Sequence, residues 1–403
     1  MNGRRGLLLS VLVGTVACAP EPEPSPWLLP VPPSVPTFIY ADVAPEERAR
    51  NTIQLSEDLI FRGDEPGHLL GRAPARLAPL PNNGVAVLDP ANHRVLLFGE
   101  DGTPSGRFGR QGQGPGEFEQ PAEIFLASGG DLRVWDVVGR QLSAWTTSGD
   151  FLATVTLPRW GAMMSPVGAD DLVWRESRRT PTGIDTLFMR VNMLGELVES
   201  YAVLPWPERT IDPPPGEITS TESNAWWVGT VPPSFATDTL GNVYVSPFEE
   251  YQIFAYSPDG SMRWALQVAH TRPPIARVEI EFHMAVHARR FPQRTEGMID
   301  WPERQFALAD VRVDGHGHIY VFPFVPKGTP SDSPRPVDVY SSDGTRLFSG
   351  HITGRNFTTS SATYNGPMYE IAWQRAVGDF VYGVAENVAG DHEPVRFRLN
   401  EPF

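Results

Sequence analysis

An all-β fold built from repeated antiparallel sheets is predicted by three features of the sequence. Prolines number 41 in 403 residues, and an interior proline costs a helix about 3 kcal/mol while strand ends and turns accept it. A phrase made of a turn residue, a small or polar residue and a β-branched or aromatic run occurs six times. The copies are Asn83-Gly-Val-Ala-Val, Gly130-Asp-Leu-Arg-Val, Asp170-Asp-Leu-Val-Trp, Gly241-Asn-Val-Tyr-Val, Gly317-His-Ile-Tyr-Val and Gly378-Asp-Phe-Val-Tyr. A second apolar phrase follows each copy, and five of these end in a glycine turn, at Gly102, Gly149, Gly195, Gly260 and Gly344. Three anchor-to-turn intervals, 83 to 102, 130 to 149 and 241 to 260, are identical. One meander cannot bury both faces, so the copies must stack, and radial stacking leaves only short edges. The prediction is a six-bladed β-propeller of four-stranded antiparallel blades with one short helical insertion.

The amino terminus reads as an address. Arg4 and Arg5 precede an apolar run from Leu7 to Ala17, too short for the roughly 20 helical residues of a bilayer span. The run ends at Cys18, the only cysteine in the chain, and Thr15-Val16-Ala17-Cys18 resembles a bacterial lipoprotein processing site, with Thr15 standing where that pattern has Leu. The resemblance implies removal of residues 1–17, lipidation of Cys18, and export to an outer membrane or cell surface. A single cysteine excludes disulfides within the chain. Eight prolines between Pro20 and Pro36 favour extended polyproline II, so residues 18–50 read as a tether and residues 51–403 as the folded body. Net charge is −15, with Lys327 as the only lysine beside 32 arginines, which excludes a basic nucleic-acid surface.

Within the body, the strand preceding each anchor is expected to be the innermost: Arg76 to Leu80, Ala122 to Leu126, Ala162 to Ser165, Phe235 to Asp238, Phe306 to Val311 and Met368 to Trp373. Outer strands follow the glycine turns, as in Phe151 to Leu157 and Met262 to Val268. The sixth copy reaches Phe403 without an outer strand, and the segment Thr52 to Phe61 has no other partner. That segment is predicted to complete the last blade and join both ends of the chain.

Val87-Leu-Asp-Pro-Ala-Asn-His-Arg-Val-Leu-Leu-Phe98, followed by Gly109, Gly112, Gly114, Gly116, Phe118 and Pro121, resembles the NHL-type repeat of six-bladed propellers, and the exported bacterial members of that group in particular. The likeness is strongest over residues 75–157. It implies the fold and a glycine-rich link between blades. Such propellers include enzymes, scaffolds and receptors, so no activity is carried over.

Two insertions break the rhythm: an aromatic stretch at 205–233 containing Trp226 and Trp227, and a stretch at 275–305 in which Val278 to Arg290 has helical spacing. Loops on a rigid ring commonly carry binding. Polar residues of the inner strands, Arg76, Glu123, Asp238, Asp310 and Glu370, are the candidates at the axial channel mouth. His283 and His287, four residues apart, His316 with His318, and Asp391 with His392 and Glu393 have ligand-type spacing. The Glu of a His-Glu-x-x-His zinc site is missing, and the other two groups fall in repeat turns, so no metal is assigned. The stretch Gly109 to Gly116 lacks the Lys-Ser/Thr ending of a phosphate loop and reads as a blade link. No nucleophile elbow is present. The expectation is an extracytoplasmic, monomeric module that binds a protein, small molecule or glycan and needs no cofactor. The alternative, implied by related propellers, is a lactonase-like or amidating-lyase-like enzyme with Ca or Zn at the channel mouth.

Overall fold

Short alternating segments ending in left-handed turns build antiparallel meanders, and this pattern recurs along the chain in a computed structural model. The structure describes residues 28–62, 70, 76–158, 163–168, 171–180, 183–206, 234–247, 249–290, 295–298, 301, 303–326, 329, 333–354, 358–361, 368–371, 373–386, 392–401 and 403. Cys18, Trp226 and Trp227 lie outside them, as does Asp391. All five turn glycines named from the sequence adopt positive φ, between +77° and +95°, and Asn83 does so at +59°. Any residue with a Cβ is disfavoured there, which is why glycine punctuates the repeat.

The first elements are β1 (Thr37–Ala41), the single turn α1 (Pro45–Arg48) and β2 (Thr52–Ile60). The first meander is β3 (Arg76–Pro79), β4 (Val85–Asp89), β5 (Arg94–Phe98) and β6 (Pro104–Phe108). The second is β7 (Pro121–Leu126), β8 (Leu132–Asp136), β9 (Gln141–Trp145) and β10 (Phe151–Thr156). The third has longer strands, β11 (Met163–Val167), β12 (Asp171–Thr180), β13 (Gly183–Asn192) and β14 (Leu197–Trp206). The fourth is β15 (Ser234–Thr237), β16 (Val243–Ser246), β17 (Gln252–Tyr256) and β18 (Met262–Ala269), after which comes the insertion helix α2 (Arg277–Arg290). The fifth is β19 (Leu308–Val313), β20 (Ile319–Pro323), β21 (Arg335–Tyr340) and β22 (Arg346–Thr353). A hairpin of β23 (Thr358–Ser361) and β24 (Met368–Ile371) precedes β25 (Trp373–Val377), β26 (Phe380–Glu386) and β27 (His392–Asn400).

β2 pairs antiparallel with β27, in a register that sets Leu55 opposite Leu399 and Ile60 opposite Val395. Its first residues, Thr52–Gln54, also pair in parallel with His351–Thr353 of β22, so the last two meanders are hydrogen-bonded into one eight-stranded sheet. This differs from six separate sheets. The chain reaches β2 from the surface of the fifth meander, where the Asn51 carbonyl accepts the His351 N–H at 2.9 Å.

The first strands of successive meanders touch in a cycle, β3 to β7 to β11 to β15 to β19 to β25 and back to β3. The apolar core follows the same cycle as six clusters, each between neighbouring sheets. Phe108 and Trp145, with ring centroids 4.2 Å apart, join the first to the second. Trp135 and Trp174 join the second to the third. Phe61, Val85, Phe98 and Tyr382 join the last to the first. The fold is therefore all-β and of propeller type. No helix among the described residues is long and apolar enough to cross a membrane.

Two expectations are corrected. Residues 28–50, assigned to the tether, lie against the body: β1 adds in parallel to the outer edge of β18, and Leu29 exchanges two hydrogen bonds with Gln252. The alternation Thr37-Phe-Ile-Tyr-Ala41 supplies the reason, since Phe38 and Tyr40 pack against the core between the fourth and fifth meanders. The innermost strand of the last meander is also not Met368 to Trp373 but β25, because the turn to β26 is only Gly378-Asp379, with Val377 opposite Phe380. Glu370 instead belongs to the β23–β24 hairpin, opposite Thr359.

Candidate functional site

Four adjacent inner strands bring charged residues together. Glu123 of β7 accepts a hydrogen bond from Arg375 of β25 at 3.0 Å, and its other oxygen is 3.9 Å from Nε of Arg76 on β3. On β19, Asp310 pairs with Arg312 at 2.6 Å, and Arg312 Nε donates to the Trp373 carbonyl at 3.1 Å. Gln374 ties β25 to β3 by accepting the Leu77 N–H at 3.1 Å. Burial lowers the pKa of Arg375, and the like charges of Arg312 and Arg76 add to this against the opposing Glu123. The described residues of β11 and β15 are neutral, and Ser165 of β11 and Thr237 of β15 share a hydroxyl hydrogen bond of 3.0 Å. Three of the five channel candidates, Arg76, Glu123 and Asp310, thus enter one charged cluster.

Arg312 and Arg375 are the members that sequence reasoning missed. Arg312 lies two residues beyond Asp310, the strand period that returns a side chain to the same face. Arg375 became legible only once β25 was set at 373–377.

Asp238 does not join the cluster. It sits in the turn after β15, where its carboxylate accepts the N–H groups of Leu240 and Asn242, the Asn242 side-chain amide and the Tyr244 hydroxyl. Asp238-x-x-Gly-Asn-x-Tyr244 recurs as Asp314-x-x-Gly-His-x-Tyr320, and Asp314 likewise accepts the N–H groups of His316 and His318 at 2.8 Å. His318 replaces the amide, with Nδ1 2.9 Å from Asp314, and Tyr320 donates to Glu401. The donor atoms of Asp314, His318 and Glu401 lie within 4.8 Å of one another. The parallel with Asn242 assigns this trio to turn bracing, because the same geometry is met by a side chain that is a poor metal ligand. His283 and His287 lie on α2, with side chains outside the described residues. Glu393 pairs with Arg62 at 2.9 Å.

Burial, reinforced by a hydrogen bond shared with Asp314, raises the Glu401 carboxyl above its ordinary value of 4.5. The folded chain therefore holds a proton that the unfolded chain releases. The stabilisation is complete below pH 4.5 and is lost as pH rises through the folded value. Glu401→Gln keeps the acceptor for Tyr320 and is expected to flatten this slope and to raise stability at pH 7. Urea melts of both proteins from pH 4 to pH 8 would test this, and parallel pH profiles would refute it.

The glycine-rich link behaves as the sequence predicts. The Glu117 carboxylate accepts the Gly114 N–H at 2.9 Å and pairs with Arg110 at 2.7 Å. A Cβ at Gly112 would come within 2.0 Å of Glu117 Oε2. A protein carboxylate fills the space an external phosphate would need. A neighbouring pocket of about 310 Å³ is lined by Gly112, Gln113, Glu119, Asp136 and Gln141 among others. Asp136 is committed there to four backbone N–H groups, of Glu119, Gln120, Val138 and Gly139.

This geometry agrees with what the chain is similar to. Residues 80–201 match a family model, DUF5128, described as a 6-bladed beta-propeller. No curated protein matches. Among solved structures, a Bacteroides fragilis protein described as exported is similar at 12% identity with a TM-score of 0.51, over 91% of this chain and 99% of that one. A member of the DUF4221 family from Bacteroides vulgatus is similar at 10% identity and a TM-score of 0.48, over 87% and 99%. A gluconolactonase from Xanthomonas campestris is similar at 13% identity and a TM-score of 0.42, over 86% and 97%. The family match over 80–201, with the B. fragilis likeness across nearly the whole chain, establishes the chain as similar to six-bladed propellers and assigns it no ligand.

Proposed function

We propose that this protein is an exported, lipid-anchored six-bladed propeller, each blade four-stranded and the last completed by β2, that acts as a binding module at the axial end of its inner strands. The cyclic contact order of β3, β7, β11, β15, β19 and β25 supports the six-blade reading. The signal-like run from Leu7 to Ala17 followed by Cys18 supports export and anchoring, and the description of the B. fragilis neighbour as exported is consistent with it. The NHL-type repeat is the sequence form of the same architecture.

The observation that carries binding over metal-dependent hydrolysis is the engagement of the cluster carboxylates by arginine. Glu123 and Asp310, the described inner-strand acids that would ligate an ion, are both salt-bridged, and three guanidiniums stand around them. A divalent ion would have to displace those partners and meet like charge. Among the described residues, the donor set does not fit an axial Ca or Zn centre of the lactonase or lyase kind.

Calcium or zinc added to the chelator-treated full chain is expected to leave the melting temperature within one degree, with no stoichiometric uptake by elemental analysis. One tightly bound ion per chain and a rise of several degrees would overturn the assignment. Cys18→Ala is expected to move the protein from the membrane to the soluble fraction of the cell. Unchanged membrane retention would refute the lipid anchor.

A further inference from the structure

We propose that the pocket between the glycine-rich link, which joins the first two meanders, and the β8–β9 turn binds a single neutral sugar ring. None of its lining residues belongs to the charged cluster of the inner strands, so the site is additional to the axial one.

The first two meanders build the same turn with different side chains. Asp89 at the end of β4 stands opposite Arg94 of β5, and Asp136 of β8 stands in the same way opposite Gln141 of β9. His93 and Arg140 hold the left-handed position of the two turns, at φ +53° and +50°. In the first turn the side chains close on the carboxylate: Asn92 Nδ2 donates to Asp89 at 2.7 Å and Arg94 Nε donates at 3.1 Å. The second turn has Gly139 in place of Asn92 and Gln141 in place of Arg94. Asp136 is held instead by the four backbone N–H groups of Glu119, Gln120, Val138 and Gly139, at 2.6–3.2 Å. The carboxylate is thus fixed without the two side chains that cover its counterpart, and a space of about 310 Å³ opens beside it.

Backbone conformation does not demand the glycine at 139. The left-handed φ of this turn falls on Arg140, one residue later. A Cβ at 139 would stand 3.2 Å from Gln141 Cγ and 3.3 Å from Gln141 Cδ. Glycine there leaves the Gln141 side chain its room at the pocket wall.

The lining groups define the ligand. Glu119 accepts one hydrogen bond, from the Gln113 amide to Oε2 at 3.0 Å, which leaves its Oε1 as an acceptor. The half-buried Gln141 amide makes no hydrogen bond among the described residues, and it offers a donor and an acceptor together. A hydroxyl can donate to Glu119 and accept from Gln141 Nε2, so a ring bearing neighbouring hydroxyls matches the set. Val138, 44% exposed, adds an apolar contact for ring C–H groups. An anion would meet Glu119 and Asp136, with no cationic side chain among the described lining residues. A metal cation would find Asp136 already saturated by N–H groups, which leaves Glu119 as the one available carboxylate. The volume stands at the lower end of the roughly 300–1,000 Å³ of small-molecule sites, which suits one ring rather than an extended chain. Because Asp136 bonds both the link and the turn, the walls are fixed in advance, and such pre-organisation lowers the ordering cost of binding.

The test is isothermal titration of the full chain with glucose, galactose, mannose and N-acetylglucosamine, with acetate and calcium as charged controls. Saturable binding of at least one sugar is expected, and of neither control. Gln141→Ala is expected to weaken sugar binding about tenfold, the effect of losing one or two hydrogen bonds. Gly139→Asn, which restores the side chain of the first turn, is expected to abolish it. Melting temperatures of both variants should stay within a few degrees of the native chain. Should Gly139→Asn fail to fold, Gln141→Ala keeps the proposal falsifiable, because its side chain makes no hydrogen bond among the described residues. No saturable binding of any of the four sugars, or tighter binding of acetate or calcium, would overturn the sugar assignment. Sugar binding unchanged by Gln141→Ala and Gly139→Asn would place the sugar elsewhere and overturn the pocket.

Discussion

Removing residues 52–61 is expected to abolish cooperative folding. Ile53, Leu55 and Phe61 are buried, Ile53 and Leu55 in the cluster joining the fifth and last meanders and Phe61 in the one joining the last to the first. Full burial of such side chains is worth about 1.5–3 kcal/mol each, so three together approach the 5–15 kcal/mol net stability of an ordinary domain. The deletion also strips β27 of its outer neighbour and exposes a nine-residue edge from His392 to Asn400. Unpaired edges of this kind template aggregation. Circular dichroism melts of the deletion variant should show a broad transition or none, with most of the protein insoluble. A sharp transition within a few degrees of the full chain would show that β2 does not complete the last sheet.

Arg48→Met is expected to destabilise the native chain by about 3–5 kcal/mol, the usual cost of leaving a buried charge without its partner. Arg48 NH1 donates to Asp338 at 2.8 Å and to the Val337 carbonyl at 3.2 Å, and NH2 reaches the second Asp338 oxygen at 3.3 Å. Asp338 is buried in β21, and its other close partner is the Tyr251 hydroxyl at 2.5 Å. Burial and the neighbouring Asp338 charge push the Tyr251 pKa well up, so the tyrosine remains a donor across the physiological range. Without Arg48, one neutral hydroxyl would carry a buried carboxylate. The double variant Arg48→Met, Asp338→Asn should recover much of the loss, because the charge that lacked compensation is gone. Denaturant melts of the two single variants and the double variant form the cycle that measures the coupling. Strict additivity would show that the pair contributes nothing beyond its separate members.

That pair also shows where sequence reading stopped. Nothing local marks Arg48 as buried; it follows a proline-rich stretch and two glutamates, a composition typical of a solvated tether. It is buried because β1 adds to β18 and carries the following turn over β21, 290 residues away in sequence. The six anchors and five glycine turns were legible for the opposite reason. A left-handed φ is demanded by the turn itself, and glycine meets it whatever packs nearby. The pairing of β2 with β27 was reached by elimination, since one meander lacked a strand and one strand lacked a meander.

Within the candidate site the division is finer. Arg76, Glu123 and Asp310 were visible as polar interruptions of inner strands. Asp238 looked the same but is a turn brace, because a carboxylate two residues ahead of free N–H groups bonds its own loop. Glu370 was misplaced by a difference in turn length, which in a strand decides both register and face.

By itself, then, the sequence determined the all-β class, the sixfold repeat, the left-handed turns and the strand that joins the ends, because each follows from backbone preferences and apolar period within a few residues. Only the tertiary structure decided that residues 28–50 dock on the body, that Arg375 meets Glu123, and that Arg312 pairs with Asp310 beside them. Those relations join residues as far apart as 76, 123, 312 and 375. Their physical origin is ring closure, which sets the distances and burial on which charge interactions depend.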